Sequence, residues 1–201
     1  EKQILMKALG ADIIHTKRED GMLGAAAKAQ ELLSEIKDSI SLQQFKNMSN
    51  PKAHYETTGP EIYQDLDGKI DYLVAGAGSG GTYSGVVKFL KEQNRNIKGI
   101  LADPVGSTMG GGEHADYDIE GIGNDFIAET MDMSLVDKVI KINDTQAFDG
   151  ARALARHEGI LGGSSTGAAF SAALKLIYEH HVKGNIVFIA PDSGDRYFSK
   201  H

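Results

Sequence analysis

Ile70-Asp71-Tyr72-Leu73-Val74-Ala75 followed by Gly76-Ala77-Gly78-Ser79-Gly80-Gly81-Thr82 is the stretch that decides how this chain folds. A short apolar run stops, four glycines arrive within six residues, and Thr82 opens a segment that reads as a helix through Gln93. Strand, glycine turn and helix start in that order make an anion site. Glycine lets the backbone turn tightly and approach a ligand, while free N–H groups at a helix N-terminus point at negative charge. The pattern predicts a phosphate cradle at 76–82. Several cofactors carry a suitable phosphate, so the rest of the chain has to discriminate among them.

Outward from the cradle, apolar runs alternate with helical patterns in both directions. Ile4, Leu5 and Ala8 recur at helical spacing over 1–9, with Gly10 placed just past the end. Residues 11–15 and 41–45 read as strands, 24–37 as an alanine-rich helix, and 47–51 as a loop holding Asn50-Pro51. A helix over 57–66, with Gly59-Pro60 in its first turn, leads into the central strand. On the other side, strands are expected at 97–102, 136–142 and 186–190, with a loose glycine-rich region at 105–118. Asn143-Asp144-Thr145-Gln146 fits a capping box for a helix ending near His157 and closed by Gly159. Leu161-Gly162-Gly163-Ser164-Ser165-Thr166-Gly167 then opens a last helix over 168–180. This order predicts an α/β protein, a mainly parallel sheet with helices on both faces. The Asn50-Pro51 break, with the cofactor loops all after it, divides the chain in two. Residues 1–50 are expected to be the remainder of a smaller, mobile N-terminal domain, and 51–201 a larger cofactor-binding domain.

Bulk composition narrows the partners. A net charge of −7 over 201 residues gives nucleic acid no electrostatic support. No apolar run approaches the roughly 18 residues of a membrane span, and no signal peptide opens the chain. Cysteine is absent. That removes disulfides, thiolate metal sites and cysteine nucleophiles, and fits a reducing cytoplasm. The numbering begins inside a helical pattern, as expected for a piece of a longer protein.

Gly76 to Gly81 is a literal G-x-G-x-x-G, and Asp103 ends the next strand about where a ribose-binding acid sits in a dinucleotide fold. A nicotinamide dinucleotide is therefore one reading of the phosphate ligand. The second glycine–serine turn, 162–167, is what a dinucleotide fold does not need. It offers hydroxyls at another helix start, although plain helix capping accounts for Ser164 and Ser165 equally well. Taken with the first loop, it suggests a compact ligand held at its phosphate and at a second polar point.

Gly78-Ser79-Gly80-Gly81-Thr82, Glu120-Gly121-Ile122-Gly123, Gly163-Ser164 and Pro191-Asp192-Ser193-Gly194-Asp195-Arg196-Tyr197 occur in one order. Leu42-Gln43-Gln44-Phe45, Asn50-Pro51 and Thr57-Thr58-Gly59-Pro60-Glu61-Ile62 precede them. This succession resembles the cysteine synthase/cystathionine β-synthase family, pyridoxal-phosphate (PLP) enzymes of fold type II, over essentially the whole chain. The resemblance implies that Gly78, Ser79, Gly80, Gly81 and Thr82 hold the cofactor phosphate. It implies that Ser164 faces the pyridine nitrogen, that Gln44 lies near the substrate carboxylate, and that Gly121 lies in a loop closing over the amino acid. The implied chemistry is β-replacement on serine or O-acetylserine by a thiol, in a cytoplasmic homodimer acting on small amino-acid and thiol substrates. The lysine that forms the Schiff base in this family, and its Ser/Thr-Gly-Asn-Thr loop, match positions upstream of Glu1. No catalytic residue is thus expected within this chain.

Two activities stay open. Glu120 and Asp125-Phe126 resemble cystathionine β-synthases, with Asn124 where animal enzymes carry tyrosine, and homocysteine is preferred as the thiol on that basis. The 191–197 segment leans towards bacterial cysteine synthases, which use sulfide. A vestigial relative that binds a partner's C-terminal carboxylate is a third, non-catalytic class. His114, Asp116 and Asp118 are read as a solvated loop, with no metal site expected. His180-His181 is read as a helix end with no chemistry assigned.

Overall fold

The computed structural model describes residues 2–197. By contacts it divides into two compact units between Gln43 and Gln44. The first contains helix α1 (Lys2–Ala8) and helix α2 (Gly21–Glu35). Gly10, at φ 87°, turns the chain out of α1 in the left-handed conformation expected there. The strands expected at 11–15 and 41–45 are not formed. A strand needs a neighbour to receive its N–H and C=O groups, and this unit has no other strand among its described residues. Residues 44–46 form a turn instead, from which Phe45 meets Phe126 edge to face at 5.4 Å.

The second unit holds the rest. Its first helix, α3 (Ser49–Glu56), contains the Asn50-Pro51 expected in a loop. Asn47 Oδ1 accepts from Ser49 N (3.0 Å), and Pro51 sits in the first turn, where its missing N–H costs no hydrogen bond. The expected domain break at Asn50 therefore lies inside this unit. Helix α4 (Thr58–Asp65) follows, then β1 (Tyr72–Gly76), α5 (Gly81–Gln93), β2 (Lys98–Pro104), β3 (Lys138–Ile142), α6 (Asp144–Glu158), α7 (Ser164–Tyr178) and β4 (Ile186–Phe188). The four strands make one sheet in the order β3-β2-β1-β4, and every pairing is parallel. Tyr72 stands opposite Lys98 on one side and Ile186 on the other, so β1 is central.

Side-chain alternation assigns the two faces. Leu73, Ala75 and Leu101 face α5 residues Tyr83, Val86, Val87 and Leu90, with α4's Ile62 and Tyr63 packed against the same cluster. Val74, Ile100, Ala102, Ile140 and Ile142 face α7 residues Ala168, Ala172, Ala173 and Leu176, with α6's Ala147. Burial on both faces explains why the inner strands read as continuous apolar runs. The capping box forms as its sequence predicts: Asn143 Oδ1 accepts from Gln146 N, and Gln146 Oε1 accepts from Asn143 N. Helix α7 begins at Ser164, earlier than the expected 168, because Gly163 serves as its N-cap. Among the described residues no helix is long and apolar enough to cross a membrane.

Candidate active site

In a parallel sheet, loops leaving the carboxyl ends of the strands gather at one edge, and ligands bind there. The 76–82 turn leaves β1 at that edge and enters α5. Gly80 is in the left-handed region at φ 82°, and a Cβ there would run into Met131. A Cβ on Gly81 would overlap the Asn50 amide, and one on Gly78 would stand 2.6 Å from Gly121 O. None of the three has room for a side chain. What the turn presents is backbone N–H, with the first N–H groups of α5 free of intrahelical partners.

Side chains from distant segments fix this turn. Asn50 Nδ2 donates to Ser79 Oγ and to Gln44 O, both at 2.9 Å, which ties Gln44 to the cradle. Buried Thr130 donates to Ser79 O at 2.6 Å. Asn124 Nδ2 donates to Gly78 O at 2.6 Å, and Gly123 N to Ala77 O at 2.8 Å. The loop carrying Gly121 thus lies along the cradle. Gly121 itself, at φ 86°, has open space beside its α-carbon.

Thr82 has a specific support. Its Oγ1 lies 3.1 Å from His54 Nε2, and His54 Nδ1 lies 3.0 Å from Thr58 Oγ1. Burial lowers the His54 pKa below its ordinary 6.5, favouring the neutral ring, which donates from one nitrogen and accepts at the other. A phosphate dianion only accepts. For Thr82 to give it a proton, Thr82 Oγ1 accepts from His54 Nε2–H, and Thr58 donates to Nδ1. The ring orients the hydroxyl.

Ser164 is buried as the first residue of α7, and its side chain does not cap the helix. Its Oγ instead accepts from Glu120 N at 3.0 Å. With that lone pair engaged, the hydroxyl proton is available to an acceptor. Asp192 Oδ1 accepts from Gly163 N (3.0 Å) and Thr166 Oγ1 (2.9 Å), so the 191–197 turn braces the same helix start. The structure brings the cradle, Gln44, Gly121 and Ser164 into one connected network. No sequence signal pointed to His54, Thr130 or the bracing role of Asp192. The bonds that tie them to the site run to partners 26 to 51 positions away, and no local pattern marks them.

Asp103 is not an exposed ribose acid. It is 1% exposed, with Oδ2 receiving Lys141 Nζ at 2.5 Å and Gly110 N at 3.0 Å. A carboxylate spent in this way does not hold ribose hydroxyls, and the dinucleotide reading loses its second element. In the 105–118 loop, His114 Nδ1 meets Asp125 Oδ1 at 2.8 Å, and Asp118 N donates to Asp144. No group of three His, Asp or Glu that could hold a metal occurs among the described residues. His180 Nδ1 lies 2.9 Å from Lys138 Nζ.

Similarity to known proteins extends over nearly the whole chain. The model of the family "Pyridoxal-phosphate dependent enzyme" matches residues 1–192. An O-acetylserine dependent cystathionine β-synthase of Bacillus subtilis is 50% identical over 200 residues, covering 100% of this chain and 65% of that protein. Cysteine synthase A of Escherichia coli is 42% identical over 99% of this chain and 65% of its own length. The crystal structure of an O-acetylserine dependent cystathionine β-synthase from Helicobacter pylori superposes with a TM-score of 0.92 at 43% identity, over 100% of this chain and 65% of that one. The chain thus spans about 65% of the length of these relatives.

Proposed function

The chain belongs to the family of pyridoxal-phosphate dependent enzymes, and from that premise we propose that the intact protein replaces the β-substituent of O-acetylserine with the thiol of homocysteine. The observation that carries the reading is the joint arrangement of a side-chain-free cradle and a Ser164 hydroxyl engaged by Glu120 N. One end suits a phosphate, the other a neutral pyridine nitrogen. On this reading Gly78, Ser79, Gly80, Gly81 and Thr82 hold the phosphate through backbone N–H groups and the Thr82 hydroxyl.

Bound there, PLP supplies a sink for the charge left at the substrate α-carbon. Ser164 donates a hydrogen bond to the ring nitrogen without protonating it, which keeps that sink mild and suits β-elimination over transamination. Gln44 orients the substrate carboxylate. Gly121 and its neighbours close over the amino acid and keep water from diverting the reaction. Residues 1–43 belong to a smaller mobile domain on the same reading, and the protein acts as a cytoplasmic homodimer.

Homocysteine is preferred over sulfide because Glu120 and Asp125-Phe126 resemble the cystathionine β-synthase loop, and because the Bacillus relative bears that name. The test uses the full-length protein with O-acetylserine and either homocysteine or sulfide. Cystathionine is expected to form with the higher kcat/KM. Cysteine formation from sulfide with no cystathionine from homocysteine would make the protein a cysteine synthase.

A further inference from the structure

Asp103 and Lys141 face each other in register on β2 and β3. The Lys141 ammonium sits among three oxygens, at 2.5 Å from Asp103 Oδ2, 2.7 Å from Ser107 O and 3.4 Å from Pro104 O. One carboxylate and two carbonyls of a tight turn are the ligand set that a partly dehydrated monovalent cation takes. Asp103 leans on this charge heavily, since its Oδ1 is buried without a partner among the described residues. Two of the three contacts go to the 104–107 turn, whose last backbone tie to β3 is Val105 N to Ile142 O at 2.9 Å.

That turn leads to the cradle. Ser107 Oγ donates to Asn124 O and accepts from Asn124 N, both at 3.1 Å, and Thr108 N also donates to Asn124 O at 3.1 Å. Asn124 Nδ2 then donates to Gly78 O. A continuous path therefore runs from the ammonium through Ser107 and Asn124 to the phosphate-binding turn, and along it to the 120–124 loop.

We propose that Lys141 is a positioning residue whose ammonium acts as a tethered monovalent cation, seating the 104–107 turn and through it Asn124, Gly78 and the cradle. The inference rests on the reading of 78–82 as the PLP phosphate site. The Lys141 side chain is 31% exposed, so its seat is reachable from solvent once the side chain is removed.

The experiment compares full-length wild-type protein, Lys141→Ala, and the double variant Lys141→Ala/Asn124→Ala in ammonium, sodium and tetramethylammonium chloride at equal ionic strength. The readout is the PLP dissociation constant by fluorescence titration. Wild type is expected to ignore the cation. In sodium or tetramethylammonium, Lys141→Ala should bind PLP roughly tenfold more weakly, the scale of about one charge-assisted hydrogen bond. Ammonium should restore it, and should fail to do so in the double variant, where the path to Gly78 is cut. A merely structural lysine would show no selective rescue. Equal affinity in all three salts for Lys141→Ala overturns the proposal, as does rescue that survives in the double variant. Should Lys141→Ala be unfolded in sodium, folded yield by circular dichroism replaces affinity; ammonium should recover it, and equal yields across salts overturn the idea. A wild-type protein that binds no PLP would instead overturn the underlying reading.

Discussion

Gly81→Ala should be costly for a reason that no local signal announces. A Cβ at Gly81 would overlap the Asn50 amide, whose Nδ2 bonds to Gln44 O and Ser79 Oγ. The amide must swing away, because its backbone is fixed in α3, which packs on α5. Losing two hydrogen bonds costs about 1–3 kcal/mol and the forced repacking about 1 kcal/mol more, for a total of about 2–4 kcal/mol. In a protein of this size that lowers the melting temperature by about 4–16 °C. The assay is a double-mutant cycle by thermal unfolding of the full-length protein. Asn50→Ala alone should cost about 1–3 kcal/mol by removing the same two bonds. In that background Gly81→Ala should be nearly free, since the atoms it would strike are gone. Costs that add to within about 0.5 kcal/mol would refute the reasoning, because independent sites add and these two are not independent.

Ser164→Asp should keep the fold and lower β-replacement kcat, since a carboxylate at the ring nitrogen favours a protonated pyridinium; an unchanged rate with a normal melting temperature would remove Ser164 from that role. His54 titrates below its ordinary 6.5 because it is partly buried, so the unfolded chain binds its proton more readily. The stability it contributes is complete above pH 6.5 and is lost as pH falls through its lower folded value. Denaturant midpoints of wild type should therefore drop across that window and those of His54→Gln should drop less; parallel curves would contradict this. Asn143→Ala removes the side-chain half of a formed capping box, the bond from Gln146 N to Asn143 Oδ1, and should cost about 1 kcal/mol, measured by urea unfolding.

Much of the architecture was legible because its causes are local. Glycine spacing at 76–81 makes a turn wherever it occurs after a strand, and Asn143 needs only Gln146, three residues away, to start a helix. The central strand, the order of strands and helices, and the family followed from such signals. The strands expected at 11–15 and 41–45 failed on the same principle, since an apolar run becomes a strand only beside another strand.

The sequence by itself determined that a glycine turn joins the central strand to a helix start, and which hydroxyl stands at a second helix start. Only the tertiary structure decided how these meet. Ser164 reaches Glu120 across 44 positions, Asn124 reaches Gly78 across 46, and Asp103 finds Lys141 across 38. Nothing near Asp103 in sequence distinguishes an exposed ribose acid from a buried carboxylate held by an ammonium. The difference is set by burial against a neighbouring strand, and burial is a property of the packed sheet.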